Sequence, residues 1–256
     1  MSEITSHAPG AFSWVELGTT DQIAAKEFYG KLFGWAFRDQ DMGPGGVYTT
    51  FTLKGKAVGA AYTLDPKTHA GVPAHWMLYV ATADADATAR RAAELGGKLM
   101  APAFDVMDYG RMAVLTDPTG GMISVWQAKT HHGLELIDEP GAFCWGQLNT
   151  SDMAKAEAFY TSLFGWTAKT GSDGGMTYTE WILGLKPIGG MMTLPPGAQA
   201  PPHWLSYFAV ADCDATAALA ASLGAKTYVP PTDIPGMGRF AVFADKQGAT
   251  FAIYRV

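Results

Sequence analysis

The chain has 256 residues, 48% of them hydrophobic and 16% charged, with a net charge of −6. That composition is globular, and it excludes the basic footprint of a nucleic-acid binder and the polybasic patch of a membrane-surface protein. Two cysteines (Cys144 and Cys213) make no disulfide framework, and neither a basic-then-apolar leader nor a membrane-length apolar run is readable, so a cytoplasmic protein is expected.

In chain order, "FSWVEL" (12–17) reads as a short apolar strand. "TTDQIAAKEFYGKLFG" (19–34) reads as a helix. Thr20 or Asp21 caps its start by accepting free backbone N–H groups, and Gly34 ends it. Ile23, Phe28, Leu32 and Phe33 are expected on its inner face. "VYTTFTL" (47–53) and "AVGAAYTL" (57–64) are strand runs around a turn at "KGK". The order then recurs: a strand "WMLYVAT" (76–82), a helix from about Asp84 to Leu95 ended by two glycines, and strands near 98–101, 111–116 and 121–127. "GPGG" (43–46) and "GSDGG" (171–175) read as loop glycines without the spacing of a phosphate-binding loop.

This text is written twice. "GAFSWVELGTTDQIAAKEFYGKLFGW" from Gly10 returns as "GAFCWGQLNTSDMAKAEAFYTSLFGW" from Gly141, an offset of 131. "HWMLYVATADADATARRAAELGGK" matches "HWLSYFAVADCDATAALAASLGAK", and "YGRMAVLTDPTGGMISVW" matches "MGRFAVFADKQGATFAIY". Two homologous domains follow, 1–130 and 131–256, joined near "KTHHGLELIDEP" (129–140). Each holds two β-α-β-β-β units, an α+β layout with helices on one face of mostly antiparallel sheets. The pair His131–His132 falls in the joining segment and is read as solvated.

The "FYxxLFGW" opening, "DADATARRAAELGGK" and "DPTGGMISVW" resemble the vicinal oxygen chelate superfamily of glyoxalase I, bleomycin-resistance proteins and extradiol dioxygenases. The resemblance covers nearly the whole chain, twice. It implies that paired units curl into a cup that holds a small-molecule ligand. In metal-dependent members, residues on particular strands chelate a divalent metal that acts as a Lewis acid. Carried over residue by residue, those positions fall on Trp14, Ala60, Met77 and Ser124 in the first half and Trp145, Gly190, Leu205 and Ala252 in the second. None is a good hard-metal ligand. No cofactor is expected on this reading, with a displaced divalent metal kept as the alternative.

Strand alternation puts Trp14 beside Glu16 and Trp145 beside Gln147 on one face, and pairs His75 with Met77 and His203 with Leu205 likewise. The candidate site is therefore aromatic-walled. Glu16 and His75 are its acid–base pair. Trp14, Met77, Ser124, Trp145, Gln147, His203 and Leu205 are ligand-binding candidates, with core filling as the plainer alternative for the tryptophans and a structural hydrogen bond for the histidines. Arg111 and Arg239, in "YGRMAV" and "MGRFAV", are candidates to clamp a carboxylate or phosphate, or else arginines covering a strand edge. The cysteines do not align with each other, and Cys144 should face away from Trp145. The expected function is small-molecule binding in the manner of bleomycin-resistance proteins. The alternative is a glyoxalase-like lyase or dioxygenase using Glu16 and His75 or a displaced metal. Because four units already supply their own pairings, a monomer is expected alongside a homodimer.

Overall fold

The computed structural model describes residues 4–173, 176–194, 197–198 and 200–255. Glycines 174 and 175 of the "GSDGG" loop lie outside them.

The first unit runs β1 (Phe12–Thr19), α1 (Gln22–Phe33), β2 (Ala36–Asp41), β3 (Val47–Leu53) and β4 (Lys56–Thr63). The second runs β5 (His75–Ala81), α2 (Ala85–Glu94), β6 (Lys98–Val106), β7 (Gly110–Thr116) and β8 (Met122–Ala128). The second half repeats this as β9 (Phe143–Thr150), α3 (Met153–Phe164), β10 (Thr167–Asp173), β11 (Met176–Leu183) and β12 (Lys186–Thr193). It then continues through β13 (His203–Ala209), α4 (Cys213–Ser222), β14 (Lys226–Ile234), β15 (Gly238–Ala244) and β16 (Thr250–Arg255). Strand β2 is absent from the sequence reading because all six of its residues are exposed, so no alternation of apolar and polar residues marks it.

Local chemistry explains the helix ends. The Asp21 carboxylate accepts the Ala24 N–H at 2.9 Å, and Gly34 closes α1 in the left-handed region at φ 72°. The inner face of α1 is Gln22, Ala25, Phe28, Tyr29, Leu32 and Phe33, spaced three to four residues apart. Ile23 was expected among them but is 71% exposed, because its place on the first turn points it away from that stripe.

Each half forms one eight-stranded sheet, in the order β2-β3-β4-β1-β5-β8-β7-β6 for the first and the corresponding order for the second. At its centre β1 and β5 run antiparallel, while β1–β4 and β5–β8 are parallel pairs. Glu16 stands opposite Met77 and Ala60, Gly18 opposite His75 and Tyr62, and Tyr79 opposite Trp14 and Ser124. The pleat therefore gathers these side chains on the cup face, and sends Val15, Leu17, Trp76 and Leu78 to the helix-bearing face.

The helix-bearing faces of the two sheets share one apolar core that draws residues from both halves. The repeated F-Y-x-x-L-F-G-W text is the joint. Tyr29 donates to Asp245 Oδ2 at 2.9 Å and accepts from Trp76 Nε1 at 2.9 Å. Tyr160 does the same with Asp117 and Trp204, also at 2.9 Å. Trp35 Nε1 donates to the Gly141 carbonyl at 2.6 Å, and Trp166 Nε1 to that of Gly10 at 2.7 Å. Buried aromatic groups whose polar atoms are all paired fix the two halves in one relative position. Among the described residues no helix is long and apolar enough to cross a membrane.

Candidate functional site

The first cup is built around Glu16. The Tyr48 hydroxyl donates to its Oε1 at 2.7 Å and the Tyr79 hydroxyl to its Oε2 at 2.7 Å. Trp14 Nε1 in turn donates to the Tyr48 oxygen at 3.1 Å. Burial pushes the Glu16 carboxyl above the ordinary carboxylate range, and the two tyrosine hydroxyls only partly oppose it by bonding the charged form. Burial and the neighbouring Glu16 charge push the Tyr48, Tyr62 and Tyr79 phenols up, so these groups are donors at neutral pH.

His75 opens β5 on the same face, one diagonal step from Glu16 across the β1–β5 pair. Its Nδ1 lies 2.9 Å from the Pro73 carbonyl and donates to it. Gly18, opposite His75, is closely packed. A Cβ there would meet His75 Cε1 and the Tyr62 hydroxyl, each at 3.1 Å, and Leu64 Cδ2 at 3.0 Å. Ser124, on the cup face beside Tyr79, has a buried hydroxyl with no hydrogen-bond partner. Trp14 is 3% exposed and serves as wall and core at once.

The second cup has the same frame and different chemistry. Trp145 Nε1 donates to Tyr178 at 2.9 Å, and the Tyr178 and Tyr207 hydroxyls donate to Gln147 Oε1 at 3.3 and 3.2 Å. Gln147 Nε2 then donates to Asn149 Oδ1 at 3.0 Å, and Asn149 Nδ2 lies 3.3 Å from His203 Nε2. His203 Nδ1 lies 2.8 Å from the Pro201 carbonyl. Asn149 stands where the first half has Gly18, and it closes a neutral chain from tyrosine to histidine. Leu205, opposite Gln147, is buried beneath that chain. The second cup thus links its tyrosines to its histidine through amides, whereas the first holds a carboxyl with no side chain bridging it to His75.

Three expectations need correction. Arg111 and Arg239 do not reach the cups. Arg111 donates to Asp86 on α2 at 2.6 and 2.9 Å, and Arg239 to Asp214 on α4 at 2.9 Å. They alternate with the cup-facing residues of their strands, so the pleat points them at the helix N-termini. His131 is not solvated either. Its ring stands edge-on to Trp14 at 4.4 Å, and burial lowers its pKa to about 4. His132 does remain exposed. Sequence reasoning also missed Tyr48 and Tyr79. The available signal was their recurrence at the matching positions Tyr178 and Tyr207 in the repeat.

The donor set does not fit a hard divalent metal. Both oxygens of Glu16 are engaged by phenols, and Trp14, Ala60, Met77 and Ser124 add at most one hydroxyl. Trp145, Gly190, Leu205 and Ala252 add none. Among the described residues no three His, Cys, Asp or Glu side chains converge on a common point.

Known proteins share this frame. The family model described as Glyoxalase/Bleomycin resistance protein/Dioxygenase superfamily matches residues 11–125 and again 141–253. The Mycobacterium tuberculosis protein named "Putative glyoxylase CFP32" is 43% identical over 257 residues, covering 100% of this chain and 98% of its own length. The Streptomyces peucetius anthracycline biosynthesis protein DnrV is 38% identical over 262 residues, covering 98% and 94%. Among solved structures, the 2,3-dioxygenase LapB from Pseudomonas sp. KL28 superposes with a TM-score of 0.66 at 14% identity, covering 96% of this chain and 92% of that one. The Mn(II)-bound glyoxalase from Novosphingobium aromaticivorans gives 0.66 at 15% identity, covering 96% and 82%. At such identities the structural likeness speaks to the fold. Repeat, cup and both family matches agree, and the chain belongs to the Glyoxalase/Bleomycin resistance protein/Dioxygenase superfamily.

Proposed function

We propose that the first cup binds a small, partly apolar molecule without a metal, and that the second cup is a structural copy. The observation that carries this reading is the difference at one pair of positions. Gly18 offers no side chain to link Glu16 to His75, whereas Asn149 joins Gln147 to His203. Trp14 and Met77 supply the apolar wall, and Ser124 an unpaired hydroxyl on the same face. Two relatives are named a putative glyoxylase and an anthracycline biosynthesis protein, and small oxoaldehyde and polycyclic aromatic compounds are therefore the first ligands to screen.

A second reading is favoured by the raised Glu16 carboxyl. A carboxyl held by two phenols beside an imidazole suits proton transfer next to a substrate carbonyl. Ionised Glu16 would take the proton from the carbon, the Tyr62 hydroxyl would donate a hydrogen bond to the resulting enolate oxygen, and Glu16 would return the proton to a neighbouring carbon. Atoms and charge balance within the substrate and Glu16.

Gly18→Asn tests the site. It carries the second cup's link into the first; the Gly18 backbone accepts an asparagine, and the Leu64, His75 and Tyr62 side chains must each shift by a few tenths of an ångström to admit it. In a thermal-shift screen of small oxoaldehyde and polycyclic aromatic compounds, ligands that stabilise the wild type are expected to lose their effect in Gly18→Asn. The proposal fails if they stabilise Gly18→Asn equally, or stabilise it only through Gln147 or Asn149. Glu16→Gln separates the two readings: a binder keeps its ligand with altered affinity, while turnover is abolished.

A further inference from the structure

The two halves differ at a second place, at the end of the sheet where β1 and β9 begin. In the first half, segment 129–137 returns across this end as a strap. The Leu134 N–H donates to the Ser13 carbonyl at 2.8 Å and the Glu135 N–H to the Ala57 carbonyl at 2.9 Å. The Glu135 carboxylate accepts the Ala57 N–H at 2.7 Å. His7 Nε2 lies 2.9 Å from the Leu134 carbonyl. The strap sets the His131 ring edge-on against Trp14 at 4.4 Å and against Trp126 at 5.8 Å. What remains open is a cavity of about 70 Å³.

No described segment crosses the corresponding place in the second half. A cavity of about 520 Å³ opens there, and its walls are the repeat counterparts of the strapped site. Cys144 stands for Ser13, Trp145 for Trp14, Tyr254 for Trp126 and Val210 for Thr82. The match extends to detail, since Cys144 Sγ lies 3.5 Å from the Tyr207 carbonyl as Ser13 Oγ does from that of Tyr79. The register places Pro187 where the first half has Ala57. The void lies in the size range of small-molecule sites.

The first half shows what this place holds, a planar heteroaromatic ring against the indole. Arg255 also lines the second cavity and has no ion-pair partner among the described residues, whereas Asp138 on the opposite wall is neutralised by Lys186 at 2.8 Å. We propose that the second-half cavity is a binding site for a planar aromatic carboxylate, its ring against Trp145 and Tyr254 in the place His131 takes in the first half, and its carboxylate at Arg255. This site is separate from the first cup and does not depend on its reading.

Isothermal titration of the full chain with 2-naphthoate tests it. One saturable site is expected. Ala211→Trp, which places an indole on an exposed position of the cavity wall, should weaken binding at least about tenfold. Arg255→Ala should weaken 2-naphthoate about tenfold while leaving the neutral 2-naphthalenemethanol unchanged. Glu16→Gln should have no effect. The proposal is overturned by absence of saturable binding up to the solubility limit, by affinity unmoved in both Ala211→Trp and Arg255→Ala, or by loss of binding in Glu16→Gln.

Discussion

The joint between the halves gives a sharp energetic prediction through Tyr29→Phe. Removing this hydroxyl withdraws the acceptor of the Trp76 indole N–H and the donor to Asp245 Oδ2, both buried. The turn amides of Gln247 and Ala249 bond Oδ1 of Asp245, so they do not compensate at Oδ2. An orphaned buried N–H costs roughly 1–3 kcal/mol and a lost hydrogen bond to a carboxylate about 1–2 more, for a total of about 2–5 kcal/mol. In a chain of this size each kcal/mol lowers Tm by about 2–4 °C, so a fall of about 4–20 °C is expected. Tyr160→Phe should cost a similar amount, because Thr119, Gly120 and Gly121 also bond only Oδ1 of Asp117. The assay is urea unfolding followed by far-UV and near-UV circular dichroism. Since one core spans both halves, the two signals should change together. A cost below about 0.5 kcal/mol, or two separated transitions, would refute the reasoning.

Three further outcomes are expected. Folding favours protonated Glu16, so its contribution is complete below the ordinary carboxylate pKa and is lost as pH rises through the raised value. Thermal melts should therefore show Glu16→Gln gaining on the wild type as pH goes from 4 to 8, and a constant difference would contradict the burial argument. Folding favours neutral His131, whose contribution is complete above pH 6.5 and fades as pH falls towards about 4, by up to about 3 kcal/mol. His131→Phe should flatten that part of the pH–stability curve, and an unchanged curve would count against the strap. Finally, Arg111→Ala and Arg239→Ala should leave ligand affinity unaltered while loosening the starts of α2 and α4, which amide hydrogen exchange at Ala87 and Ala215 would report.

How much of this was legible beforehand differs by residue. The cup faces of β1 and β5 followed from a period of two, so Trp14, Glu16, His75 and Met77 could be placed together without coordinates. Arg111 lies on an equally apolar strand, but its direction depends on register against β8, which local text does not encode. Tyr48 and Tyr79 look like ordinary strand aromatics until folding brings strands distant in sequence to one carboxylate.

The amino-acid sequence by itself determined the repeat, the four units and the helix caps, because these rest on self-similarity and on interactions within a few residues. Only the tertiary structure decided that the two cups differ in kind. That difference arises where Gly18 or Asn149 meets a histidine from another strand, and where a strap fills one sheet end and leaves the other open. Both depend on side chains and segments distant in sequence competing for the same volume.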